Sequence, residues 1–133
     1  MKVFFSPKNN PRVIIIQKLY AKIYNNEDEI KFPKHRFKRF IKDVVLGTVE
    51  RQEVLFEEIN QSLDNMDLKK KDKVFQTIVK SAVYEFLYMP KTPRKIIIKE
   101  YLNASNFFLD DSQTKYLNAL LDKISKKIRT LNE

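Results

Sequence analysis

Apolar residues recur along this chain at intervals of three and four, the spacing that lines one face of an α-helix. The first such series is Ile15, Ile16, Leu19 and Ile23, and it follows Asn10-Pro11. That pair reads as a helix cap and a first helical residue: the asparagine oxygen accepts from the free N–H groups of a first turn, and proline has no N–H to leave unpaired. The spacing places the four apolar residues on one face, sends Lys18 and Lys22 away from it and leaves Tyr20 at its margin. "YNNEDEIKF" then interrupts the periodicity with turn formers and acids and predicts a loop.

From about Pro33 to Leu63, Phe37, Phe40, Ile41, Val44, Val45, Thr48, Leu55, Phe56 and Ile59 predict one long helix, or two with a bend. Gly47 falls inside this pattern, where glycine costs about 1 kcal/mol against alanine; close contact with another helix or a break would explain it. "NMDLKKKDK" predicts a turn. Phe75, Ile78, Val79, Ala82, Val83, Phe86 and Leu87 then form a broad apolar face suited to a central helix buried on more than one side. Met89-Pro90 ends it, because the residue before a proline is driven out of the α region. Thr92-Pro93 restarts the chain as cap and first residue of a helix with Ile97, Tyr101, Ala104, Ser105 and Phe108 inward. Asp110 or Asp111 can cap a last helix in which Leu117, Leu120, Leu121, Ile124, Ile128 and Leu131 point inward and Tyr116 and Asn118 lie on opposite margins. The expected fold is all-α: a single-domain helical bundle over residues 1–133, without repeat or flexible linker.

Composition narrows the chemistry. There is no cysteine, which excludes disulfides, thiolate catalysis and cysteine-ligated metals and fits a reducing, cytoplasmic setting. The single glycine rules out phosphate-cradling loops of the Walker A or Rossmann kind. No apolar run approaches the roughly 18 residues of a membrane span, so no membrane association is expected. The net charge of +9 is uneven: residues 1–48 and 69–133 each carry an excess of seven positive charges, and residues 49–68 an excess of five negative ones. Such a distribution suits a cationic face for nucleic acid, and it equally suits solvated lysines on a helical protein.

Candidate catalytic groups are sparse. The one histidine, His35, lies among cations in "PKHRFKR" with no neighbouring carboxylate to orient it, and no serine has an evident base. No catalytic residue, metal site or cofactor is expected. Glu85 and Glu100 border apolar runs, as solvated edges or structural hydrogen-bonding partners; a carboxylate pair across two helices is the functional alternative. More suggestive is the pairing of cations with aromatics: Lys115 precedes Tyr116, Lys80, Tyr84 and Tyr88 form a line on the central helix, and Lys8, Arg12 and Tyr20 flank the first. Aromatic faces stack on unpaired bases at roughly 1–3 kcal/mol each, while neighbouring cations hold the backbone. Tyrosines at helix margins are also common as core edges with a wet hydroxyl.

The order of four motifs resembles the NusB family of bacterial transcription antitermination factors. "IQKLY" (Ile16–Tyr20) resembles the family's Val-Gln-Ala-Leu-Tyr, and "KDVVLGT" (Lys42–Thr48) its Arg-Asp-Leu-Leu-Ala-Gly-Val. "IVKSAVYEFLYMPKTPRKIIIKEYLNASNFFLDDSQTKYLNALLDKI" resembles its helix ending in Tyr-Glu, its proline-restarted helix and its Phe-Val-Asn-Gly-Val-Leu-Asp segment. The resemblance spans nearly the whole chain. It departs from the family where the N-terminal arginine run is thinned, where Lys99 replaces Asn and Ala119 replaces Gly, and where Phe75 replaces an acidic residue.

The resemblance implies two small helical subdomains, binding of single-stranded boxA-type RNA, the ribosomal protein NusE as partner, and contact through it with other Nus factors and RNA polymerase. It implies Lys8, Arg12, Tyr20, Lys80, Lys115 and Tyr116 as RNA-binding residues, with the Tyr116 ring as a stacking platform. A protein-interaction adaptor of the same fold with little RNA affinity is the alternative, and a detached relative of the NusB-like domain of some ribosomal RNA methyltransferases is another.

Overall fold

The computed structural model describes residues 9–63 and 67–129. Within them six α-helices follow one another: α1 (Pro11–Tyr24), α2 (Lys38–Glu50), α3 (Gln52–Ser62), α4 (Lys73–Tyr88), α5 (Arg94–Ser105) and α6 (Asp111–Arg129), with a 3-10 turn at Leu68–Lys70 before α4. No strand occurs among the described residues. Leu131, expected on the inner face of the last helix, lies outside them.

Local chemistry accounts for the helix starts. The Asn10 Oδ1 accepts from the N–H groups of Arg12 and Val13 at 3.0 and 3.3 Å, and Pro11 opens α1. Of the two aspartates before α6, Asp110 is the cap: its carboxylate accepts from Gln113 N at 2.7 Å while the Gln113 side chain accepts from Asp110 N at 3.1 Å. This reciprocal pair satisfies two donors that an uncapped helix leaves free. At α5 the expectation fails. Pro93 itself occupies the cap position and no side chain caps the helix, because the Thr92 N–H closes a turn onto Met89 O at 3.1 Å one residue earlier.

The long periodic stretch resolves into two helices that break at Arg51, not at Gly47. The first starts only at Lys38, and Phe37 remains exposed. Gly47 sits inside α2 against α4, where a Cβ would fall 2.3 Å from two ring carbons of Tyr84. Real Cβ atoms do not approach that closely, so glycine at 47 permits the α2–α4 contact.

Helix α4 packs against all five others, as its broad apolar face requires. Ile78, Val79, Ala82 and Val83 lie fully buried in one core with Val13, Ile15 and Ile16 of α1 and Leu117, Leu121 and Ile124 of α6. Ile23 departs from its predicted place. It is 40% exposed, because α1 runs past the edge of this core. The far end of α4 is closed by Arg129, whose buried guanidinium donates to the carbonyls of Phe86 at 3.0 Å, Met89 at 2.9 Å and Thr92. A cation at a helix C-terminus satisfies the last carbonyls and complements the dipole.

Candidate nucleic-acid interface

The turn before α4 carries Lys69, Lys70, Lys71 and Lys73, all exposed. Two side chains shape it. Asp67 Oδ1 accepts from Lys69 N at 3.0 Å, and the buried Gln76 donates its side-chain N–H groups to the carbonyls of Lys69 at 3.3 Å and Lys71 at 2.7 Å. Leu68 anchors the turn in the core. The carbonyls of Lys69 and Lys71 are thus taken up by a buried side chain, and the lysine side chains are left exposed.

On one side of the turn stands Tyr116 of α6, 43% exposed. Its ring stacks on Phe75 with centroids 5.7 Å apart and an interplanar angle of 22°, and Lys71 Nζ lies 4.9 Å from its centroid. Phe75, the residue that departs from the family's acid, is buried and supports the tyrosine from below. Lys115 is exposed beside it.

On the other side is a groove of about 490 Å³ between α1, α2, α3 and α4, with Lys22, Lys69, Lys73 and Lys80 on its walls and no carboxylate among its lining residues. Lys80 is half-buried. Its Nζ donates to Gln52 Oε1 at 2.8 Å and lies 4.0 Å from the centroid of Phe56, with Lys69 Nζ 5.4 Å from the same ring. Burial, then the charges of Lys73 and Lys69, push its pKa down to about 8. Tyr20 is exposed on α1 and meets Tyr24 edge-on at 5.2 Å. The hydrogen bond between their hydroxyls raises the Tyr20 pKa, and the charge of Asp72, at the start of α4, adds to it.

Arg12 departs from the expected surface role. Only 9% exposed, its guanidinium donates to both oxygens of the fully buried Glu85, at 3.1 and 2.7 Å, and lies over the rings of Phe40 and Tyr101. Burial, the largest single influence, lowers its pKa; the charge of Glu85, together with Tyr101, the hydrogen bond to Glu85 and the charge of Glu100, outweighs it and leaves the pKa raised. The same pair settles the reading of Glu85 as a structural partner. Lys8 lies outside the described residues. Four of the expected residues, Tyr20 on α1, Lys80 on α4 and Lys115 and Tyr116 on α6, therefore reach the surface, and Arg12 does not.

The model of the NusB family matches residues 2–126. The chain belongs to the NusB family. A transcription antitermination protein NusB of Lysinibacillus sphaericus is 34% identical over 66% of this chain and 69% of its own length. One of Treponema denticola is 36% identical over 78% of this chain and 75% of its own length. Among solved structures, NusB of T. maritima superposes with a TM-score of 0.77 over 93% of this chain and 94% of that one, at 17% identity, which shows the NusB fold. The relatives it matches are named transcription antitermination proteins, a non-enzymatic role. No helix among the described residues is long and apolar enough to cross a membrane.

For this NusB-family chain, sequence reasoning missed Lys22, Lys69, Lys71, Lys73, Gln52 and Phe56. The lysine run in "NMDLKKKDK" was the available signal; read as a turn, it does not reveal what its two flanks face.

Proposed function

We propose that this protein acts in the cytoplasm in transcription antitermination of ribosomal RNA, binding single-stranded boxA-type RNA together with the ribosomal protein NusE, and through that pair joining other Nus factors and RNA polymerase. Family membership supports the antitermination role. The observation that carries RNA binding is Tyr116, exposed and stacked on Phe75, with Lys71 over its ring. Such a ring offers a rigid face to an unpaired base, and the lysines of the adjoining turn and groove meet the phosphates on either side. Tyr20, Lys80, Lys115 and Tyr116 are the proposed contacts, with Lys8 as a further cation. Neither surface needs to be strong alone, since RNA and NusE held by one protein raise each other's effective concentration.

Titration of a boxA-like RNA with and without NusE, at two salt concentrations, tests this reading. RNA binding that weakens with salt and strengthens with NusE supports it. The adaptor reading, favoured by the withdrawal of Arg12 into the interior, expects NusE to bind with no gain from RNA.

A further inference from the structure

The lysine groove has an electrostatic arrangement that goes beyond simple attraction. The charges that act on Lys80 are Lys73 from the first turn of α4 and Lys69 from the 3-10 turn; Lys22 of α1 lines the same groove, and α2 and α3 contribute the uncharged Thr48, Val49, Gln52 and Phe56. Lys22 donates to the carbonyls of Asn26 at 2.6 Å and Asp28 at 2.7 Å. An ammonium carries three donors, and Lys80 has one protein acceptor, Gln52 Oε1. Its charged form is thus opposed by burial and by like charges and is poorly supplied with acceptors. An entering phosphodiester reverses this balance, bringing a negative charge and acceptor oxygens to the same place.

Resting on the RNA-binding reading above, we propose that seating of an RNA phosphate in this groove is coupled to uptake of a proton by Lys80, so that the affinity for RNA falls as the solution becomes alkaline. In the free protein the lowered pKa of Lys80, about 8, leaves the amine neutral in a large share of molecules at mildly alkaline pH. Binding favours the charged form; by reciprocity, protonation favours binding.

Calorimetric titration of a single-stranded boxA-like RNA at pH 7, 8 and 9, in buffers of different ionisation enthalpy, tests the coupling. The wild type is expected to lose about tenfold in affinity from pH 7 to pH 9 and to take up about half a proton per complex at pH 8. The variant K80R stays charged throughout and should show neither effect. K80M stays neutral and should also be flat with pH, at the weaker limit. An α-amino group titrates in the same range, and its uptake would survive both substitutions. Proton uptake that persists undiminished in both K80R and K80M therefore overturns the proposal. Wild-type binding that does not change with pH overturns it too while leaving RNA binding intact; absence of RNA binding at pH 7 defeats both readings.

Discussion

Arg12 and Glu85, 73 positions apart, meet through two hydrogen bonds, Nε to Oε2 at 3.1 Å and Nη2 to Oε1 at 2.7 Å, and the Glu85 side chain has no solvent access. The contact fastens the first turn of α1 to the last turn of α4. Arg12→Ala would strand a buried carboxylate, and such losses cost about 3–5 kcal/mol. Urea unfolding should show that loss. The double variant Arg12→Met with Glu85→Leu should recover most of it, because apolar residues of similar volume replace a buried pair at little cost. RNA affinity of the folded double variant should match the wild type; a large drop would return Arg12 to the RNA surface.

Tyr116→Ala removes an exposed ring and should weaken RNA binding by roughly 1–3 kcal/mol with little effect on unfolding. Phe75→Ala removes the buried ring beneath it and should cost about 3–5 kcal/mol of stability. Fluorescence anisotropy with labelled RNA, read alongside denaturation curves, separates the two. Equal affinities for Tyr116→Ala and wild type would take Tyr116 out of the site.

Gly47→Ala places a methyl group 2.3 Å from the Tyr84 ring and forces α2 and α4 apart or turns the ring out. The expected cost is about 1–3 kcal/mol, the usual range for overpacking. Tyr84→Ala in the same chain should remove the clash, so the double variant should lose less than the sum of its single substitutions when both are melted under one condition.

Lys80→Met should raise stability at pH 7 and weaken RNA binding. The folded-state pKa of Lys80 is pushed down to about 8 from the ordinary 10.5 by burial and by Lys73 and Lys69. Between those values the unfolded chain binds the proton that the folded chain has released, so stability rises with pH across the window. Below it both states are charged and the full penalty of burying the ammonium applies. The difference between wild-type and Lys80→Met urea midpoints should therefore be larger at pH 7 than at pH 10. A difference that stays constant would show that the substitution acts through packing alone.

Much of the helical plan was legible because its signals are local. Asn10 and Asp110 cap helices through N–H groups two or three residues away, and the end of α4 follows from Pro90. The break between α2 and α3 was harder. Gly47 marked the stretch as unusual, but the chain bends at Arg51, because the glycine serves the approach of Tyr84 from a helix some forty residues later. Tyr116 was legible as an aromatic at the edge of an apolar stripe next to Lys115. Its support by Phe75 and its cover by Lys71 were not, since both come from a part of the chain some forty residues earlier.

The amino-acid order by itself determined most of the helical plan, the caps of α1 and α6, the main amphipathic faces and the family, because each is written in spacings of a few residues or in motif order. Tertiary structure alone decided which cations face outward. Whether a guanidinium or an ammonium is held by a carboxylate or left without one depends on what the fold brings to it. Arg12 found Glu85 and was drawn inside, whereas Lys80 found Phe56, Gln52 and other lysines and was left lining an open groove.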